Sequence, residues 1–159
     1  MTMNINEALV LRAAHPSEAP TIATMSRLQV EYGLQWRWTP ARIRRCIKDK
    51  ETMVLVASIK GVIEGFAIME FHDRDAHLLL LAVQPKSRQS GIGRAMVEWL
   101  EKSCRTAGIQ GIRLEVRASN NAARRFYEKL QYQVVSQVAA YYEKREAAVV
   151  MGKSLVAES

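Results

Sequence analysis

The stretch from Leu78 to Val97, LLLLAVQPKSRQSGIGRAMV, predicts the central part of the fold. It opens with the end of a predicted strand, Ala76–Val83, which is apolar enough to be buried on both faces of a sheet. Two glycines, Gly91 and Gly93, then stand where an apolar stripe of helical spacing begins at Met96. We therefore expect a strand, a glycine-containing loop and a helix in this order.

The loop Arg88–Gly93 (RQSGIG) has the features of a phosphate site. Glycine lets the backbone approach a ligand closely, and the first turn of a helix presents unpaired N–H groups at the positive end of the dipole. Arg88 and Arg94 flank the turn and can add charge-assisted hydrogen bonds, each worth roughly 1.5–3 kcal/mol. On these residues alone, a tight connection without a ligand remains an alternative.

Two common phosphate-binding motifs do not fit the chain. A dinucleotide fingerprint needs a third small residue where this chain has Met96, and its glycines directly follow the strand, whereas residues 84–90 intervene here. Gly152-Lys153-Ser154 resembles the end of a P-loop. The glycine that the P-loop requires five positions earlier is Ala147, in a segment predicted to be a strand.

The rest of the chain predicts one domain of mixed α/β class, with antiparallel hairpins flanking a β-α-β unit. The further strands are expected at Leu9–Ala13, Met53–Ile59, Val62–Phe71, Ile112–Val116, Tyr132–Tyr141 and Ala147–Leu155, the last two around a charged turn at Glu143–Glu146. Helices are expected after three N-caps: Ser17, Thr39 (followed by Pro40) and Ser119–Asn120. The helix after Asn120 should end near Leu130. The helix that starts near Gly93 should end at Gly108.

Composition excludes several classes of protein. The 159 residues are 48% hydrophobic and 25% charged, as in a globular domain, and no apolar run is long enough to span a bilayer. The N-terminus lacks the pattern of a signal peptide, so we expect a cytoplasmic protein with Cys46 and Cys104 reduced. The three histidines have no second ligand at metal spacing, so no metal site is expected.

The net charge of +7 raises the question of a nucleic-acid partner. The richest basic segment is Arg42–Lys48, in which apolar residues recur at helical spacing. We therefore favour a solvated helix face over a surface for an anionic partner, and we do not expect nucleic acid to be a partner.

Four motifs at matching intervals give the chain a family resemblance. They are Leu81-Ala82-Val83, the loop RQSGIG, LEVRASN at Leu114–Asn120 and FYEKL at Phe126–Leu130. Over about Ala76–Tyr132 the chain resembles the GNAT acetyltransferase superfamily, and within it the bacterial ribosomal-protein-alanine N-acetyltransferases. The resemblance implies a mostly antiparallel twisted sheet with a splayed β-α-β site for the acetyl donor, acetyl-CoA. About 8–75 would form the acceptor side and about 76–155 the donor-binding and catalytic half.

The resemblance also implies a role for individual residues. Glu115 would be the general base and Tyr127 the general acid, and Asn120 would contact the donor near its pantetheine end. The pantetheine arm would pair with the backbone of Leu81, Ala82 and Val83. The pyrophosphate would be held by Arg88, Gln89, Ser90, Gly91, Ile92, Gly93 and Arg94.

The residues themselves leave alternatives to these two catalytic roles. Glu115 lies between Arg113 and Arg117 on one strand face, so pairing with cross-strand charges is a second interpretation. Tyr127 can equally be packing beside Phe126.

The chain departs from the family pattern in the second half. Gln131 stands where relatives often have glycine, and Tyr141-Tyr142 is followed by Glu143 rather than by the proline of many protein N-terminal acetyltransferases. On the acceptor side, Trp36 and Trp38 can line a pocket or cover the core.

Three functions remain open from the sequence. The chain can acetylate a protein N-terminal α-amino group, or it can acetylate a small amine such as a polyamine or an aminoglycoside. It can also be a non-catalytic module that binds acyl-CoA or associates with nucleic acid. Both a monomer and a homodimer are compatible with the sequence.

Overall fold

The structure, a computed structural model, describes residues 8–142 and 146–156. The strands are β1 (Leu9–Ala13), β2 (Thr52–Ile59), β3 (Val62–Phe71), β4 (Asp75–Val83), β5 (Gly111–Arg117), β6 (Gln133–Tyr142) and β7 (Glu146–Ser154). The α-helices are α1 (Ala19–Gln29), α2 (Pro40–Lys48), α3 (Ile92–Thr106) and α4 (Asn121–Lys129). Short 3-10 turns occupy Pro16–Glu18 and Pro85–Ser87.

The strands form one sheet in the order β1-β2-β3-β4-β5-β7-β6. Five neighbouring pairs are antiparallel, and β4 and β5 run parallel, joined through the crossover helix α3. The predicted mixed α/β sheet with a single β-α-β unit is therefore confirmed. It places the parallel pair near the middle of the sheet, where helices cover both faces.

The two central strands pair over only part of their length. β4 and β5 are in register from Asp75 opposite Gly111 to Leu78 opposite Leu114, and the ladder ends there. On its other edge β4 continues to pair with β3 as far as Val83. Beyond Leu78, the edge of β4 that faces β5 is therefore unpaired, and a cleft opens between the strands.

A bulge at the start of this cleft divides the core into two clusters. The pairing with β3 shifts so that Leu79 is the extra residue on β4. Leu78 packs in the cluster under α3 and α4, whereas Leu80 packs in the cluster under α1 and α2. On a regular strand, Leu78 and Leu80 would point to the same face of the sheet because they are two residues apart. The bulge therefore reverses which face each later residue of β4 occupies.

Two predicted N-caps are confirmed and one is wrong. The Thr39 hydroxyl accepts the Arg42 N–H at 3.3 Å with Pro40 in the first helical position, and the Asn120 side chain accepts the Ala123 N–H at 3.1 Å. Ser17 is not an N-cap, because it lies within a 3-10 turn and α1 begins only after Glu18.

Burial along β4 also differs from the prediction. From Ala76 onwards, alternate residues of this strand are fully buried while those between them are half-buried. The half-exposed positions include Leu79 and Leu81, which line the cleft beside β5, so the apolar run lies at an opening in the sheet rather than beneath two complete layers.

Candidate active site

The predicted phosphate loop forms a tight turn at the start of α3. Gly91 is the N-cap of that helix with φ of 91°, a left-handed conformation that glycine adopts without a steric penalty. Gln89, two residues earlier, also has positive φ, at 63°. The first N–H groups of α3 have no partner within the helix, so this end can bind an anion.

The second glycine of the loop serves packing rather than conformation. A Cβ built on Gly93 would lie 3.0 Å from Cζ and 3.1 Å from Cε1 of the Phe126 ring. Gly93 therefore lets α4 and the first turn of α3 come into contact.

The polar side chains of the loop make contacts within the protein. Arg88 donates to Gln29 Oε1 at 2.6 Å and to the Val83 carbonyl at 3.3 Å. Arg94 pairs with Glu98 at 2.7 Å along α3, and the Ser90 hydroxyl donates to the Ser87 carbonyl. A ligand on the loop would compete with these contacts.

The opening between β4 and β5 contains a cavity of about 120 Å³. Its walls include four of the predicted site residues, Leu81, Glu115, Asn120 and Tyr127. The other lining residues come from both strands, from the end of α1 and the segment after it, and from α4: Gln29, Val30, Tyr32, Leu78, Leu79, Leu80, Leu114, Val116, Arg117 and Ala123. The loop Arg88–Arg94 is not part of this wall.

Glu115 is held by two basic side chains. Its Oε2 atom lies 2.5 Å from Nε2 of His77, and its Oε1 atom lies 3.5 Å from Arg113. The side chains of Glu115 and His77 are only 12% and 14% exposed. An ionised carboxylate only accepts hydrogen bonds, so the imidazole Nε2–H is the donor in this pair.

His77 is not among the site residues predicted from the sequence. Its residue type gave no signal, because the partner carboxylate is 38 positions away and no metal-like spacing exists. The parallel register supplies the missing information, since it pairs His77 with Arg113 and thereby places Glu115 diagonally across the ladder.

Tyr127 is buried at the base of the cavity, with 7% of its surface exposed. Its ring packs edge-on against Phe126 and Tyr132, with centroid distances of 5.0 Å and 5.7 Å. The Tyr132 hydroxyl donates to Glu101 at 2.9 Å, and burial together with that carboxylate raises the pKa of Tyr132. Glu101 also accepts from Lys153 at 3.0 Å, so a satisfied polar cluster supports the aromatic rings.

Asn120 has a structural partner as well as a place in the cavity wall. Its side-chain oxygen is used by the N-cap bond to Ala123, which leaves the amide NH₂ as its donor group. Asn120 therefore both caps α4, just after the end of β5, and lines the cavity.

The tryptophans of the segment between α1 and α2 cover the core. Trp36 and Trp38 pack against the cluster under α1 and α2, and neither lines the cavity. Arg27 and Arg42 lie over their rings, at 5.1 Å and 3.6 Å from the centroids. Buried Glu31 fixes this loop, accepting from the N–H groups of residues 37 and 38 and from the Ser26 hydroxyl.

Other chemistry is not prominent in the described residues. Cys46 and Cys104 are free thiols, and burial raises the pKa of both, that of Cys104 to about 11. Residues 8–142 and 146–156 contain no group of His, Cys, Asp or Glu side chains arranged to hold a metal ion. Within the same ranges, no helix combines the length and the apolar content needed to cross a membrane.

Known proteins that are similar to this chain include N-acetyltransferases. An uncharacterised N-acetyltransferase of Methanocaldococcus jannaschii is 37% identical over 99 residues, 62% of this chain and 64% of the relative. A [ribosomal protein bS18]-alanine N-acetyltransferase of Escherichia coli is 36% identical over 94 residues, 57% of this chain and 64% of the relative. The matches thus span just under two thirds of either relative.

A solved structure and a family profile extend the comparison. The PaiA N-acetyltransferase of Thermoplasma acidophilum, in complex with coenzyme A, superposes with a TM-score of 0.81 at 18% identity, covering 92% of this chain and 99% of that one. The profile of the Acetyltransferase (GNAT) family matches residues 19–132, which include the cleft between β4 and β5 and the glycine loop. This chain belongs to the GNAT acetyltransferase family.

Proposed function

We propose that the protein transfers the acetyl group of acetyl-CoA to a primary amine, and that the amine is a protein N-terminal α-amino group. The observation that carries the proposal is the cleft beyond Leu78 and Leu114, in which the unpaired edge of β4 faces Glu115 and Tyr127. In this arrangement the half formed by about 8–75 receives the acceptor, and about 76–155 binds the donor.

The donor would bind along β4 and the glycine loop. The backbone groups of Leu81–Val83 on the edge away from β3 would pair with the amide groups of pantetheine, as a further strand would, and Arg88 would release the Val83 carbonyl. The pyrophosphate would lie at the N-terminus of α3, where Arg88 would exchange Gln29 for a phosphate oxygen. The amide NH₂ of Asn120 would donate to the donor near its pantetheine end. The complex of the Thermoplasma acidophilum protein with coenzyme A supports this choice of donor.

Glu115 would remove the proton from the acceptor amine, directly or through a water molecule. The ordinary pKa of an α-amino group, about 7.7–8.0, is much lower than that of a lysine side chain, about 10.4, so the α-amino group is the easier acceptor to deprotonate. His77 and Arg113 would keep the carboxylate oriented toward the cavity.

The amine would then attack the thioester carbonyl and form a tetrahedral oxyanion. A backbone N–H of the unpaired β4 edge would donate a hydrogen bond to that oxygen. When the carbon–sulfur bond breaks, the thiolate would take its proton from the Tyr127 hydroxyl. The Phe126 and Tyr132 rings fix the position of Tyr127.

One relative supports a protein N-terminus as the acceptor. The Escherichia coli relative is an alanine N-acetyltransferase of a ribosomal protein, and it is 36% identical over 57% of this chain.

The test is thiol release from acetyl-CoA with a panel of acceptors. We expect turnover with short peptides that carry a free N-terminal alanine, and little with polyamines or aminoglycosides. Acetyl-CoA binding without thiol release on any acceptor would instead favour a non-catalytic module.

The role of Tyr127 is tested separately. Tyr127→Phe should retain acetyl-CoA binding and lose about 10²-fold or more in kcat. An unchanged kcat would remove Tyr127 from the reaction.

A further inference from the structure

Arg117 is a cavity-lining side chain that contacts the segment after α1. It follows Glu115 by two residues on β5 and therefore lies on the same face of the strand. Its Nη2 atom donates to the backbone carbonyls of Val30 and Tyr32, each at 2.8 Å. Its guanidinium carbon lies 4.0 Å from the centroid of the Tyr32 ring.

The same guanidinium also contacts the start of β7. Nη1 of Arg117 lies 3.8 Å from the carboxylate of Glu146, and the Ser119 hydroxyl donates to that carboxylate. The Arg117 side chain is only 11% exposed. One side chain thus joins three segments that are distant in sequence, namely the segment after α1, the end of β5 and the start of β7.

We propose that Arg117 is a positioning residue for the acceptor amine, an inference that rests on the proposed N-acetyltransferase function. It fastens Val30 and Tyr32, which form one wall of the cavity, against the strand that carries Glu115. The acceptor amine must reach Glu115 past this wall, whereas the donor would bind along β4 and the glycine loop. Losing Arg117 therefore affects the acceptor far more than the donor.

The chemistry of the contact requires arginine. A planar guanidinium can donate to two carbonyls while it stacks on an aromatic ring, and a lysine ammonium cannot do both. Tyr32 remains 49% exposed although Arg117 stacks on its ring, which leaves ring surface for the acceptor chain to contact.

The experiment compares KM values for the two substrates in Arg117→Lys and Arg117→Met. With acetyl-CoA and a short peptide that begins with alanine, we expect the peptide KM to rise about tenfold or more, since charge-assisted hydrogen bonds are lost. The acetyl-CoA KM should stay within about twofold. Exposed Arg105, near the end of α3, gives the matched controls Arg105→Lys and Arg105→Met, for which neither KM should change.

Tyr32 provides a second pair of variants. Tyr32→Phe retains the ring that Arg117 covers and should raise the peptide KM less than Tyr32→Ala does. Tyr32→Ala should raise it as the Arg117 variants do. An unchanged peptide KM in Arg117→Met, or an equal rise for both substrates, would overturn the proposal.

A measurement without turnover separates this inference from the proposed function. Amide hydrogen exchange of residues 30–34 should become faster in Arg117→Met than in the starting protein, and Arg105→Met should not change it. If the starting protein acetylates no acceptor, the proposed function fails and the role in acetylation fails with it; the exchange rates still decide whether Arg117 holds this wall. If Arg117→Met does not fold, Arg117→Lys supplies the same comparison.

Discussion

His77 Nε2 and Glu115 Oε2 are 2.5 Å apart across the parallel strands β4 and β5. The contact forms where the ladder ends, so the imidazole holds the carboxylate at the rim of the cleft. Arg113 is the second group on the same carboxylate, at 3.5 Å, but its side chain is 53% exposed and water screens that pair more strongly. His77 is therefore the main fixed contact of the proposed base.

Replacing His77 should lower kcat without abolishing donor binding. In His77→Leu the carboxylate loses its buried donor, and we expect kcat to fall about tenfold or more because the orientation of Glu115 is lost. His77→Gln retains an N–H at a similar reach and should keep more of the activity. Steady-state kinetics at varied acetyl-CoA concentration measure kcat and the KM for acetyl-CoA. An equal kcat in the starting protein and in His77→Leu would contradict the expectation.

The contact between Gly93 and Phe126 should appear as an energetic coupling. Adding a methyl group in Gly93→Ala forces the Phe126 ring to move, and such overpacking typically costs about 1–3 kcal/mol. The same substitution in a Phe126→Leu background should cost about 1 kcal/mol less, as measured by denaturant unfolding.

Gly91 supplies the control for that cycle. A Cβ on Gly91 would meet nothing within 4 Å, and the cost of Gly91→Ala comes from its φ of 91°. Its destabilisation should therefore be the same in both backgrounds. A coupling to Phe126 at Gly91, or none at Gly93, would refute the packing explanation.

Gln131→Gly should stabilise the protein. Gln131 follows the end of α4 with φ of 74°, a left-handed conformation that costs roughly 1 kcal/mol for a residue with a Cβ. Part of the gain is lost to the greater freedom of glycine in the unfolded chain. We expect the free energy of unfolding to rise by about 0.5 kcal/mol. Gln133→Gly, on the extended strand β6, is the matched control and should destabilise; a loss of stability in Gln131→Gly would count against the backbone strain.

The ion pair between Arg12 and Glu18 should make stability depend on acidic pH. The hydrogen bonds from Arg12, at 2.8 Å, hold the pKa of Glu18 at about 2, below its ordinary value of 4.5. A carboxylate with a lowered pKa in the folded state stabilises fully above the unfolded pKa, and this contribution disappears as the pH falls from about 4.5 toward 2. Unfolding of Glu18→Gln should lack that part of the acid dependence. Identical pH profiles for the two proteins would rule out this pair as its source.

The sequence predicted the local features because their causes are local. The proline after Thr39, the side chain of Asn120 and the conformation of Gly91 act within one turn of their own helix, so spacing is enough to place them. Gln131 stands where relatives often have glycine, which predicts a backbone conformation that glycine adopts more easily. Its φ of 74° confirms this prediction. The prediction of Ser17 as an N-cap is wrong because Pro16–Glu18 forms a 3-10 turn, and the helix begins after it.

By itself, the sequence determined the order of strands and helices, the glycine loop and the family, since these rest on periodicity and on residues close together along the chain. Only the tertiary structure decided which groups meet across the sheet. The bulge at Leu79 turns the end of β4 over, and the ladder between β4 and β5 stops at Leu78, which opens the cleft. His77 reaches Glu115 through this parallel pairing, whose register depends on packing over the whole sheet. Arg117 reaches Tyr32 through a contact between β5 and the segment after α1, which lie 85 positions apart in the sequence.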